Sequence, residues 1–304
     1  MLRQALLALS ENARARAFVL QNPVGRRTAR RFIAGETLQD ALDTVERLSR
    51  QGFLTSLNYL GEKTKVPPEA LAATAAYEEI LRRLRGRPED CYVSVKLTQL
   101  GLDFSQDLAA SHLRRILEAA RAGNTFIRID MEHSAYVEAT LAILALFGAG
   151  GRKTLGAVVQ AYLYRSADDL DRLLRLGIPV RLVKGAYAEP ASIAYPRKHD
   201  VDANYARLLQ HLLSDAGYHA VATHDERLVR TAVEQARLAG KTREQFEFQM
   251  IYGVRRDLQE RLRAEGYRVR IYVPYGEQWY PYFMRRLAER PANLTFLLRN
   301  LFRG

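Results

Sequence analysis

From Phe53 onward the chain switches repeatedly between two hydrophobic periods. Eight apolar, β-rich segments occupy residues 53–61, 91–101, 126–132, 156–163, 179–187, 219–225, 246–253 and 269–276. Most neighbours are separated by a stretch such as DLAASHLRRILEAARA or ERLVRTAVEQARLAG, whose apolar positions recur every three to four residues. Such alternation predicts eight parallel strands joined by helices, a (βα)8 barrel. Residues 1–50 read as helices, with a start signal at Thr37: Asp40 follows three residues later, and Leu38, Ala41, Leu42, Val45 and Leu48 begin an apolar stripe. No linker, low-complexity run or further repeat interrupts the alternation. The expectation is one domain, a barrel over 51–304 preceded by a helical extension over 1–50.

Polar groups supply a second argument for this fold, because they come late in each strand segment: Glu62, Lys96, Asp130, Gln160, Lys184, His224, Gln249 and Tyr272. The C-terminal rim of such barrels carries chemistry, and earlier positions are expected to fill the core. The stretch 268–289 stands out. It reads as a buried strand stopped by Pro274, Tyr275 and Gly276, then a helix with Pro281 in its first turn. Tyr282, Arg285, Arg286 and Glu289 fall at i, i+3, i+4 and i+7 on that helix, one stripe of its surface. Two guanidiniums beside a phenol suit a small carboxylate; the plainer reading is a solvated face with a surface Arg–Glu pair.

At 304 residues, with 48% hydrophobic and 26% charged, the chain can bury a full core, and a barrel needs about 250 residues. The single cysteine, Cys91, excludes an internal disulfide and a CxxC site and reads as a core thiol. No apolar run approaches the roughly 20 residues that span a bilayer. Charges inside the apolar part of the N-terminal segment argue against a secretory signal, so a reducing cytoplasm is expected. The net charge of +12 allows contact with nucleic acid, an anionic membrane or an anionic ligand. Its arginines are spread over many helices without interleaved aromatics, which favours solvated faces over a nucleic-acid groove.

GAGGRKT at 148–154 follows a helix and precedes a strand, the reverse of a phosphate loop, and reads as an ordinary turn. Lys184 has apolar neighbours in sequence and ends a strand. It is either a Schiff-base lysine, which would make the chain a lyase or aldolase, or a charge holding a ligand phosphate or carboxylate beside Gly185. Lys96 poses the same choice. Asp130, Glu132, His133, His224 and Asp225 contain ligand types, but no HxH pair ends the first strand, and no metal is expected. His219 reads as structural, His199 and His211 as exposed.

Taken together and in order, SVKLTQLG, IRIDME, VVQAYLYR, RLVKGAY, ATHD, FEFQMIYG and YVPYGEQWYPYFMRRLAE resemble the proline dehydrogenase family of the single-function bacterial type. The resemblance runs from about Leu57 to the end and is most specific in the last motif. It implies a distorted (βα)8 TIM-type barrel holding FAD at its C-terminal rim, with the last helix laid over the mouth. By the same resemblance Arg285 and Arg286 would grip the carboxylate of L-proline, with Lys96 as a third cation, and Tyr272 and Tyr282 would line its ring. Asp130 would be the central carboxylate, and Glu62 would pair with Arg285 to gate the pocket. Arg181 would lie against the flavin ring, Gln160 at its polar edge, and Lys184, Gly185, Ala186, Thr223 and His224 along the ribityl and phosphate portions. Glu289 would reach the adenosine side, and Met131 stands where the family often has an acidic residue. The implied reaction is oxidation of L-proline to Δ1-pyrroline-5-carboxylate, with electrons leaving through FAD to a membrane quinone. A separate pyrroline-5-carboxylate dehydrogenase is expected to complete the conversion to glutamate. The basic surface and the apolar segment LTFLLRNLF suggest contact with an anionic membrane, packing on the barrel being the alternative.

Overall fold

The computed structural model describes residue 12 and residues 31–87, 90–148 and 154–289, the last three by backbone alone. Helix α1 (Leu38–Arg50) precedes the first strand. It starts as expected: Thr37 Oγ1 accepts from the Asp40 N–H, and the Asp40 carboxylate accepts from the Thr37 N–H. Its stripe of Ala41, Leu42, Val45 and Leu48 is buried in the same core as the barrel strands. GAGGRKT, the segment LTFLLRNLF and most of residues 1–30 lie wholly or largely outside the described residues.

All eight expected strands form: β1 (Leu54–Tyr59), β2 (Cys91–Val95), β3 (Ile127–Ile129), β4 (Leu155–Gln160), β5 (Val180–Val183), β6 (His219–Ala222), β7 (Phe246–Ile251) and β8 (Val269–Tyr275). Each pairs in parallel with the next, and β8 pairs with β1, closing the barrel. Between them run α2 (Pro67–Leu84), α3 (Gln106–Ala122), α4 (Val137–Gly148), α5 (Ser166–Arg175), α6 (Lys198–Ser214), α7 (Glu226–Leu238) and α8 (Arg256–Ala264), and α9 (Trp279–Glu289) follows β8. The β8 strand runs on through Pro274 to Tyr275, one step past the expected stop. Proline is accepted there because its carbonyl still takes the Ala34 N–H at 2.8 Å, and Leu60 N–H reaches the Tyr275 carbonyl at 2.8 Å.

Early strand positions fill the core as expected, but not with apolar side chains alone: Arg128, Glu247 and Arg270 lie inside the barrel, all at most 2% exposed. They are tolerated because each makes charge-assisted hydrogen bonds, although Arg128 Nε and Arg270 Nη2 have no hydrogen-bond partner among the described residues. Arg270 pairs with Glu247, and Arg128 donates to the carbonyls of Ala157 at 3.0 Å and Pro179 at 2.8 Å. Cys91 is the expected core thiol, pushed up to about 11 by burial. His219 is structural: Nδ1 accepts from the Val180 N–H at 3.1 Å and Nε2 faces Asp215 at 2.7 Å. Among the described residues, no helix is long and apolar enough to cross a membrane.

Candidate active site

Parallel strands deliver their C-terminal ends to one mouth, and there a cavity of about 780 Å3 opens. Its lining includes Glu62, Lys96, Asp130, Met131, Gln160, Arg181, Lys184, Gly185, Ala186, Thr223, His224, Tyr272, Tyr282, Arg285 and Arg286. These are all the residues to which the family resemblance gave a site role except Glu289, whose side chain lies outside the described residues. Lys96 and Asp130 sit just past β2 and β3, and Gln160 is the last residue of β4. Gln249 and Tyr272 lie within β7 and β8, one layer deeper than strand-end positions.

Asp130 is the centre of the arrangement. One oxygen accepts from Arg181 Nη2, the other from Lys96 Nζ at 3.2 Å and the Tyr272 hydroxyl at 2.7 Å. Burial alone would raise its pKa, but Arg181, Lys96 and the Tyr272 hydrogen bond prevail and hold it below the usual carboxylate range. The same contacts act on its partners. Burial opposes the charge of Lys96, yet Asp130, Tyr187, Glu62 and Glu132 together raise its pKa above an ordinary lysine's. Tyr272 is held well above the usual phenol value, first by burial and then by Asp130. Arg181 also lies 5.3 Å from the Tyr272 ring centre, a cation over an aromatic face.

Helix α9 covers this cluster. Arg285 forks onto Glu62, Nη2 to Oε1 at 2.8 Å and Nη1 to Oε2 at 3.2 Å, and Arg286 is buried with its guanidinium 5.2 Å from the Tyr282 ring centre. Tyr282, Arg285 and Arg286 therefore turn inward, and the solvated-face alternative falls away. The cause is the β8 turn, which lays the helix back across the mouth.

Lys184 corrects an expectation. Its surroundings are ionic, with Nζ 2.5 Å from Asp202 Oδ1 and 3.2 Å from Asp225 Oδ2. Its strand end abuts α6 and the N-cap of α7, which bring the two carboxylates; an amine nucleophile needs an apolar, desolvated setting instead. The five residues weighed as metal ligands do not converge. Asp130 is taken up as above, Asp225 pairs with Lys184, His133 faces Glu189 at 3.4 Å, and Glu132 accepts from Thr98 N–H and Oγ1–H at 3.1 and 2.5 Å. His224 Nε2 accepts from the Ile251 N–H at 2.9 Å, which leaves the proton on Nδ1. Gly185 is required for a different reason than close approach to a ligand. Its φ is +115°, and a Cβ there would sit 2.2 Å from the Tyr162 ring.

Sequence reasoning passed over several lining residues: Tyr187, Lys198, Arg227, Arg230 and Arg255. Tyr187 lies inside a quoted motif, and Gln249 was placed at the rim but given no role, whereas Arg227 and Arg230 showed only as helix-surface charges until the fold put the first turn of α7 at the cavity.

The donor set fits a dinucleotide such as FAD. The volume lies in the range of cofactor pockets. Lys184, Lys198, Arg227, Arg230 and Arg255 outnumber Asp225 and Glu226 in one part of the lining, leaving the net positive charge that suits phosphates. Arg181 Nε is buried and has no hydrogen-bond partner among the described residues, a donor left for a ligand.

A family profile described as proline dehydrogenase matches residues 41–299. The chain is 41% identical over 304 residues, the whole of both chains, to proline dehydrogenase 1 of Bacillus subtilis subsp. natto. It is 40% identical to proline dehydrogenase of Deinococcus radiodurans, covering 99% of this chain and 98% of the relative. Among solved structures it resembles proline utilization A (PutA) from Bdellovibrio bacteriovorus, inactivated by N-propargylglycine, with TM-score 0.80 and 27% identity. That match covers 87% of this chain and 33% of the other, so the chain spans about a third of that longer protein. On the family profile and these full-length relatives, the chain belongs to the proline dehydrogenase family, FAD-dependent enzymes that oxidise proline to Δ1-pyrroline-5-carboxylate.

Proposed function

We infer that this cavity oxidises L-proline to Δ1-pyrroline-5-carboxylate, with Asp130 and Arg181 as its catalytic residues. The observation that carries the reading is that one cavity at the barrel mouth gathers Lys96, Arg181 and Tyr272 on the ionised Asp130 with Tyr282, Arg285 and Arg286 of α9 lining the same space. FAD, when bound, supplies the hydride acceptor. Arg285 and Arg286 hold the substrate carboxylate, since a guanidinium fork matches it in two hydrogen bonds, and Lys96 adds a third cation. Glu62, already forked onto Arg285, gates the pocket: the substrate carboxylate exchanges for it, so one ion pair replaces another. Tyr272 and Tyr282 flank the ring, and fixing both ends aims the carbon next to nitrogen at the acceptor.

Asp130 holds Lys96, Arg181 and Tyr272 in place and moves no proton at neutral pH, because it is held ionised. The substrate amine must lose its proton before hydride can leave, so the rate rises with pH through the alkaline range. Asp130 is held below its usual range, and Tyr272 above its own, first by burial and then by Asp130. When FAD is bound, Met131, Gln160 and Arg181 would hold its ring, and Lys184, Gly185, Ala186, Thr223 and His224 its ribityl and phosphate portions; the side chain of Glu289, expected at the adenosine, lies outside the described residues. Residues 51–304 form the catalytic unit and residues 1–50 an extension. Electrons pass on to a membrane quinone, with the basic surface in peripheral contact with the cytoplasmic face, and a separate dehydrogenase takes the product.

Anaerobic addition of L-proline to the yellow, flavin-loaded protein tests the central reading. Bleaching of the flavin absorbance is expected; a loaded protein that keeps its colour with proline refutes it. Borohydride trapping of substrate on Lys184 would favour the lyase instead. Reoxidation by a soluble quinone tests the acceptor, and sedimentation with anionic vesicles at low salt tests the membrane contact.

A further inference from the structure

Beneath Arg181 the barrel holds charges that the proposed reaction does not use. Glu247 and Arg270 are completely buried, and Arg270 Nε donates to both Glu247 oxygens at 2.9 and 3.1 Å. Arg270 Nη1 also reaches the Thr55 carbonyl at 2.7 Å and Asp90 Oδ1 at 3.0 Å, and its guanidinium lies 3.4 Å from the Tyr92 ring centre. The Tyr218 hydroxyl donates to Glu247 Oε2 at 2.9 Å. Gln249, two residues along β7 and so on the same face, links this group to the cavity. Its Nε2 donates to Glu247 Oε1 at 2.5 Å, and its Oε1 accepts from Arg181 Nη1 at 3.2 Å.

The amide has one workable orientation. Turned over, it would set an NH2 against the guanidinium and a carbonyl against the carboxylate. An apolar filling could replace a buried ion pair with little loss of stability. What it could not do is fix that amide. Arg181 is thus held from two sides, by Asp130 at Nη2 and Gln249 at Nη1, with Nε uncommitted among the described residues.

We propose that Gln249, oriented by the Glu247–Arg270 pair, is a positioning residue that fixes Arg181 toward the bound flavin ring; this rests on the reading above that Arg181 serves the cofactor. The test compares Gln249→Leu, Gln249→Glu and Arg181→Met as flavin-loaded enzymes, measuring kcat, proline KM and the midpoint potential of bound FAD. Gln249→Leu is expected to lower kcat roughly 10-fold or more, the weight of one hydrogen bond to a charged group, with little change in KM. Its potential moves negative, in the direction of Arg181→Met, because the cation that stabilises charge on the ring is less well held. Gln249→Glu keeps an acceptor for Arg181 but opposes Glu247, so its kcat profile gains an ionisation absent from the parent. Being near in shape to glutamine, it carries the test if the leucine variant does not fold. If Arg181→Met shifts the potential while both Gln249 variants match the parent in potential, kcat and pH profile, the positioning role is overturned and the role of Arg181 stands. If Arg181→Met leaves the potential unchanged, the underlying reading fails, and the proposal with it.

Discussion

Asp130→Asn separates the electrostatic role of this residue from its shape. The substitution keeps the side-chain outline and an acceptor for the Tyr272 hydroxyl, but removes the charge between Arg181 and Lys96, whose side chains are 8% and 11% exposed. Leaving buried cations without their counter-ion costs about 3 to 5 kcal/mol. The sign with pH follows from the lowered pKa of Asp130. A carboxylate whose folded pKa is depressed adds stability that is fully present above its unfolded value, 3.8, and is lost as pH falls through the folded value. The variant should therefore be less stable than the parent at pH 7, and the two should converge only below pH 3.8. Urea unfolding followed by far-ultraviolet circular dichroism, with FAD saturating in both proteins, measures the difference. A variant within about 1 kcal/mol of the parent at neutral pH would refute the view that Asp130 neutralises the two cations, since that is no more than an exposed ion pair contributes.

The clamp predicts that Arg285→Met or Arg286→Met raises the proline KM by roughly 10- to 100-fold, the range for losing a hydrogen bond to a charged group, while flavin stays bound; steady-state kinetics with absorbance at saturation decides. Glu132, buried and only partly compensated by Thr98, is pushed up to about 7 from 4.5, so its favourable contribution is fully present below 4.5 and lost as pH rises through about 7. The gap corresponds to roughly 3 kcal/mol, and Glu132→Gln should remove that decline between pH 4.5 and about 7 in thermal or urea unfolding. Gly185→Ala should cost roughly 1 to 3 kcal/mol through its positive φ, with more from the Tyr162 collision, and should weaken flavin retention on gel filtration.

Much of the architecture was legible in the chain itself, because period is a local property. Eight apolar segments at strand length, helical spacing between them and the Thr37–Asp40 cap each depend on residues a few positions apart, and each appears in the fold. The candidate residues were legible for a related reason: a parallel barrel sends every strand end to one rim, so late polar residues such as Lys96, Asp130 and Gln160 had to meet at the mouth. Contacts across the barrel were not legible. The Arg181–Asp130 pair spans 51 residues, and the Arg285–Glu62 pair spans 223, so only closure of the sheet and the return of α9 bring them together. The sequence also could not reveal that Arg128, Glu247 and Arg270 would be buried, or that Asp202 and Asp225 would surround Lys184. Whether a charge is solvated or paired depends on neighbours from other strands and helices, and those are chosen by packing in three dimensions, not by position along the chain.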